Sequence, residues 1–284
     1  MAAVEDGDFC SPAHQIYLNL VLTKSLKSIL THPLTRGLDL DSPQMTIRRS
    51  EIIEQKAFLK CFYEKCYLQI AERLPTSIKG PVLEIGSGAG FLKETIGGLI
   101  TSEILHIPNV DVICDCQRLP FKPSALRAIV MMDVFHHIPD VKSFLSTAAR
   151  CVKPGGTILM IEPWFTRWSQ FVYRYLHHEP FDQYAADWNL PSAGPLSQAN
   201  SALPWMVFDR DLEKFEQRFP DWQLKTIDLH SPVSYLLSGG ISYRISLPGS
   251  LFKICSRSEE LLKPWFNHWA MFATIALVRR KNAG

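Results

Sequence analysis

Residues 82–90 run from Val82 and Leu83 through Glu84 and Ile85 to Gly86, Gly88 and Gly90. An apolar strand thus ends in an acid and opens into three glycines at alternate positions. Glycine lacks a Cβ and tolerates φ > 0, so such a segment turns sharply and brings bare backbone against a ligand. Between a strand and a helix it makes a nucleotide-sized cradle at the carboxyl edge of a parallel sheet. A dinucleotide fingerprint needs a small residue at position 91, and Phe91 stands there. No Gly-Lys-Ser/Thr follows, which excludes a Walker A loop.

Other residues with chemistry follow in order. Glu103 closes Thr101-Ser102-Glu103, and Asp115 sits in Cys114-Asp115-Cys116-Gln117-Arg118-Leu119-Pro120-Phe121. Asp133, Phe135, His136 and His137 follow an apolar run from Ile129 to Met132, and Ile138-Pro139-Asp140 comes next. Further on, His177-His178-Glu179-Pro180-Phe181-Asp182 places two histidines beside two acids. Imidazole titrates near neutrality, so His177 or His178, oriented by Glu179, is a candidate general base. His136 and His137, at the cofactor edge, are further candidates, His137 before His136. Contiguous histidines lack the helical i, i+4 spacing of a metal-ligand pair, and no metal is assigned.

The elements that must position these residues alternate strand and helix patterns, the signature of a parallel sheet with crossover helices. Strands are expected at 82–85, 100–105, 110–114, 128–132, 157–161, 222–229 and 271–278. Phe91–Ile96 reads as a short helix. Asp140–Val152 reads as another, with Asp140 its cap and Lys153-Pro154-Gly155-Gly156 its stop and tight turn into the fifth strand. Upstream, 1–13 reads as disordered and 14–30 as helical. Residues 33–49 read as irregular, and a long amphipathic helix capped by Ser50 runs to Leu74. Four segments result: an N-terminal helical lid (1–79), the core (80–162), an aromatic-rich insertion (163–221) and C-terminal strands carrying an apolar insertion (222–284).

The acid, the three glycines, Glu103, Asp115 and the His-His-Ile-Pro-Asp edge occur in the order found in class I S-adenosylmethionine (SAM) dependent methyltransferases. Residues 80–162 resemble that family, specifically its small-molecule, UbiE-like type. The resemblance implies an α/β, three-layer Rossmann-like sheet of about seven strands, the last antiparallel, with a helical lid and two late insertions. It implies SAM as cofactor and Glu84, Gly86, Ser87, Gly88, Gly90, Glu103, Asp115, Cys116 and Asp133 as its contacts. Glu103 would hold the ribose diol. Asp115 and the Cys116 N–H would hold the adenine, and Asp133 would border the methionine end. The expected activity is in-line methyl transfer to O, N or C of a small, partly apolar molecule. The other reading is a SAM-binding scaffold or regulator without methylation.

Composition bounds the rest. The chain has 284 residues, 46% hydrophobic and 20% charged, with a net charge of +2 and no basic stripe, so nucleic acid is not an expected partner. Seven scattered cysteines lack zinc or redox spacing and fit a reducing cytoplasm. The acidic N-terminus does not read as a signal peptide. No apolar run reaches the ~18 residues that span a bilayer. The aromatics between Trp164 and Phe208 leave open a substrate wall or the insertion's own core. The apolar second insertion leaves open a cover over substrate, a peripheral membrane contact, a homodimer face or packing under the sheet.

Overall fold

The computed structural model describes residues 31–177, 179–190 and 194–281. The expected disordered start, the helix over 14–30 and His178 lie outside the described residues. Seven strands form one sheet: β1 (Val82–Ile85), β2 (Leu99–Glu103), β3 (Val112–Ile113), β4 (Leu126–Met132), β5 (Val152–Pro163), β6 (Trp222–His230) and β7 (Phe272–Arg279). Their order is β3-β2-β1-β4-β5-β7-β6. β1 to β5 pair in parallel, and β7 lies antiparallel between β5 and β6. All seven expected strands are present, β1 at its expected bounds and the others with shifted ends.

The sheet is buried on both faces, which is why its central strands read as near-continuous apolar runs. Alternation still sorts the side chains. Leu83, Ile129, Met131, Ile158 and Met160 pack on one face, under helix α3 (Val141–Cys151). Val82, Ala128, Val130, Leu159 and Ile161 pack on the other. There they meet Ile52 and Ile53 of α1 (Pro43–Gln55) and Phe58, Phe62 and Tyr67 of α2 (Ala57–Glu72). Each fully buried Leu, Ile or Phe contributes roughly 1.5–3 kcal/mol.

Several boundaries differ from the sequence reading, for identifiable reasons. The single helix from Ser50 to Leu74 is two helices, and the first begins earlier. Ser42 caps α1, accepting from the Met45 N–H at 3.2 Å, and Pro43 occupies the first turn. The break falls at Lys56, a buried lysine whose Nζ donates to the carbonyls of Gly240 (2.5 Å) and Tyr243 (2.9 Å). Burial lowers its pKa to about 8. A distant segment therefore fixes the break, and helical periodicity cannot register it. The expected helix at 91–96 is only a 3₁₀ turn, Leu92–Glu94. Residues 152–156 belong to β5, where the register with β4 shifts between Leu126 and Ala128 around Gly155 at φ +81°. Asp140 does cap α3, accepting from the Ser143 N–H at 3.0 Å.

The buried aromatics of the first insertion join the two cores that cover the sheet. Trp164, Trp188 and Phe208 are buried with the β1/β4 face, while Tyr173 of α4 (Arg167–Leu176) packs on the other. The second insertion divides. Tyr235 and Phe252 pack inward, whereas Leu261, Trp265 and Trp269 are exposed. Among the described residues no helix is long and apolar enough to cross a membrane.

Candidate active site

A cavity of about 600 Å³ opens at the carboxyl ends of β1, β2, β4 and β5. Its first end is built from backbone. Gly86 sits at φ +70°, and a Cβ there would collide with Val134. A Cβ on Gly88 would stand 2.5 Å from Thr46 Cγ2 and 2.6 Å from Glu103 Oε2, and one on Gly90 would strike the Tyr67 hydroxyl. These positions leave room for main chain alone.

Acids ring this cradle. Glu103, at the end of β2, accepts from the N–H groups of Gly88 (3.1 Å) and Ile104 (2.8 Å). Asp115 follows β3 and accepts from the Gln117 N–H at 2.8 Å. Glu84 is buried at the end of β1, and burial raises its carboxyl to about 7, against a hydrogen bond from Ser87. Asp133 is likewise pushed up to about 7 by burial. It is a non-glycine residue at φ +55°, its N–H held by the Ile161 carbonyl at 3.0 Å. Of the nine expected cofactor contacts, eight line the cavity. Ser87 does not. Its buried Oγ accepts from the Ser102 N–H at 3.1 Å and ties β1 to β2. A 3₁₀ turn, Leu92–Glu94, follows the cradle in place of the expected short helix.

The opposite end is built from side chains of three segments. After β4 a 3₁₀ turn, Phe135–His137, projects two histidines. Glu162, fully buried near the end of β5, accepts from the N–H groups of Val134 (2.9 Å) and Phe135 (2.8 Å) and from His136 Nδ1 (2.7 Å). Glu179 enters from the first insertion, with Oε2 3.2 Å from His136 Nε2 and Oε1 3.6 Å from His137 Nε2. Burial disfavours charge on His136, but its bonds to Glu162 and Glu179 outweigh that and raise it to about 10. Burial likewise opposes the Glu179 anion. The hydrogen bond from His136 and the positive charge on that ring nonetheless hold it well below the usual carboxylate range.

The expected base candidates are therefore distributed unequally. His137, His177 and Glu179 all line the cavity. His137 Nδ1 donates to the Gln198 carbonyl at 2.7 Å, which leaves its Nε2 as the basic atom. His177 Nδ1 instead accepts the Glu179 N–H at 3.3 Å, so its basic lone pair is occupied. Sequence reasoning placed His136 at the cofactor edge but missed Glu162 as a member of this cluster. Glu162 carried a usable signal, because it ends an apolar strand in the same way as Glu84. It also missed Tyr63 and Tyr235, whose rings line the cavity from α2 and the second insertion. Of the first insertion's aromatics, Tyr173 reaches this cavity.

The cradle and its acids suit SAM. Main-chain donors and bare space meet a carboxylate, while buried anions meet a sulfonium and an ammonium. Residues 101–160 match a family model described as a methyltransferase domain. A ubiquinone biosynthesis O-methyltransferase from Rhizobium etli (strain CIAT 652) is 27% identical over 108 residues, 31% of this chain. The match spans 44% of that enzyme's length. Among solved structures, a chain from the complex of the Haloferax volcanii Trm112 methyltransferase activator with a methyltransferase superposes with a TM-score of 0.50. That pair shares 13% identity, with 86% of this chain and all of the other covered. Geranyl diphosphate C-methyltransferase from Streptomyces coelicolor A3(2) gives 0.48 at 13% identity, over 88% of this chain and 91% of that one. The strand order and the antiparallel β7 are those of the class I SAM-dependent methyltransferase fold, and within it residues 101–160 match the methyltransferase-domain model.

Proposed function

We propose that the protein methylates a small, partly apolar molecule whose reacting atom meets the histidine end of the cavity. The observation that carries this reading is the polarity of the cavity. Glycine backbone and acids occupy one end, a His-His-Glu cluster occupies the other, and both stand on one sheet edge. SAM supplies a methyl group already activated by its sulfonium. What remains for the chain is to hold, align and exclude water, for which orientation alone can supply about 7–11 kcal/mol.

In this reading Gly86, Gly88 and Gly90 admit the cofactor's amino-acid end against main chain. Glu103 takes the ribose diol, and Asp115 with the Cys116 N–H takes the adenine. Asp133 borders the methyl-bearing end. His137 Nε2 receives the acceptor's proton, with Nδ1 fixed by Gln198 and the anionic Glu179 stabilising the resulting imidazolium. His177 stands beside Glu179, its Nδ1 3.8 Å from Oε2. A carbon, nitrogen or oxygen acceptor fits this arrangement so long as its proton faces His137.

A second cavity, of about 420 Å³, shares Tyr235, His177 and Ser242 with the first, and most of its wall is apolar. Leu236, Leu237, Ile245, Leu247 and Met271 line it. This is the observation that favours an acceptor with an apolar portion. An acceptor screen with methyl-labelled SAM tests the proposal, with label expected in an amphiphilic small molecule. Tight SAM binding without transfer to any acceptor would favour the scaffold reading instead.

A further inference from the structure

His136, His137 and Glu179 come together in a way that an acid–base role for one histidine does not use up. Their ligand atoms all lie within 4.8 Å of one another at the cavity wall. Each histidine has its Nδ1 occupied by a fixed acceptor, Glu162 for His136 (2.7 Å) and the Gln198 carbonyl for His137 (2.7 Å). That leaves Nε2 of both rings directed at one carboxylate. Orienting a metal-binding imidazole through a carboxylate or carbonyl on its other nitrogen is the usual outer-shell device of metal sites.

The spacing agrees with that device. Bonds of about 2.0–2.1 Å place tetrahedral ligand atoms roughly 3.3–3.4 Å apart. His136 Nε2 lies 3.2 Å from Glu179 Oε2 and His137 Nε2 3.6 Å from Oε1, so the carboxylate brings an oxygen close to that spacing from each ring. The local charge agrees as well. Glu162, Glu179 and Asp133 crowd the cluster, and Asp133 also lines the cavity. Two imidazoles and one carboxylate suit a borderline ion; Mg²⁺ and Ca²⁺ prefer oxygen throughout.

We propose that His136, His137 and Glu179 bind one divalent transition-metal ion of the zinc type at the histidine end of the cavity. The ion takes the place of the proton that His136 Nε2 shares with Glu179. Its remaining coordination positions face the cavity, where an oxygen or nitrogen of the acceptor completes the shell. With the ion bound, His137 Nε2 is a ligand and not the base, so the ion replaces the base role given to that atom above; the site rests on the methyltransferase reading only for the ion's role, since the three ligands converge without SAM.

The test uses the full chain, without a tag and stripped by chelator, titrated with Zn²⁺ by calorimetry and with Co²⁺ by visible absorption. One saturable equivalent is expected in the absence of SAM. The Co²⁺ spectrum should show ligand-field bands and no thiolate charge-transfer band. Removing an outer-shell partner costs about 10–100-fold in affinity, so Glu162→Gln should fall in that range. Losing a ligand in His137→Ala or Glu179→Gln should cost more. Each variant is checked for a cooperative melt, and His137→Gln replaces any that fails. No saturable equivalent, a thiolate spectrum from Cys114 and Cys116, or unchanged affinity in both ligand variants would overturn the site. SAM binding is measured on the same stripped protein. A protein that binds SAM but takes up no metal removes this inference and leaves the methyltransferase reading standing; one that takes up metal but does not bind SAM does the reverse.

Discussion

The glycine end of the cavity and its histidine end stand on one sheet edge but are assembled in different ways. The first comes from consecutive strand ends within residues 84–115, and much of what it offers a ligand is main chain. The second draws on β4, β5 and the first insertion, and it works through side chains whose partners are 26 to 61 residues apart. A backbone cradle tolerates change in most neighbours so long as nothing fills it. A side-chain cluster depends on every member. Damage should therefore be severe and structural at the histidine end, and graded and specific to SAM at the glycine end.

Removing Glu162 should have the largest effect. Glu162→Ala leaves buried His136 without its carboxylate and two backbone N–H groups without an acceptor. Breaking a buried pair in this way costs about 3–5 kcal/mol, which lowers the melting temperature by on the order of 10 °C. A thermal melt checks it, and a shift of a degree or two would mean the cluster is not a unit. Next comes His137→Ala. Loss of a general base should cut kcat by about 10²–10⁴ while SAM affinity stays near that of the wild type. Single-turnover transfer with a confirmed acceptor separates the two quantities.

A smaller effect belongs to the other end. Glu103→Ala removes a charged hydrogen-bond acceptor worth about 1.5–3 kcal/mol, so SAM affinity should fall roughly 10–150-fold with little change in melting. An equal loss of stability would erase the contrast between the ends.

The pH dependence sharpens the comparison further. Glu84 and Asp133 have carboxyls raised to about 7 by burial. An acid raised in the folded state binds its proton more tightly there. Its contribution to the ligand-free protein is full below about 4 and falls as pH climbs toward about 7. Cationic SAM prefers the anions, so its affinity should rise across the same interval. Urea titrations and binding at pH 5 and 8 should move in opposite directions, and Glu84→Gln should flatten both.

The legible parts of the molecule were those whose signals are local. Glu84-x-Gly86-x-Gly88-x-Gly90 needs only its own spacing to mark a cradle, and Asp140 could be read as a cap from its place before an apolar helix. The seven strands were visible because both faces of the sheet are buried. What escaped was set by distant contacts. Lys56 breaks a helix because its ammonium reaches carbonyls at 240 and 243. Ser42-Pro43 starts α1 inside a stretch that looked irregular. His136 lies next to His137, yet its importance comes from Glu162 and Glu179, 26 and 43 residues away. The aromatics of the first insertion left open a wall or a core of their own; Trp164, Trp188 and Phe208 join the core of the sheet, and Tyr173 reaches the main cavity.

The central claim is that the cradle between β1 and β2 holds SAM against bare backbone. Titration calorimetry of SAM into the wild type and into Gly88→Leu tests it most directly, because the new side chain would fill the space beside Thr46 and Glu103. One saturable site in the wild type, weakened at least tenfold in a variant that still melts cooperatively, is the predicted result. Undiminished binding in Gly88→Leu, or none in the wild type, would contradict it.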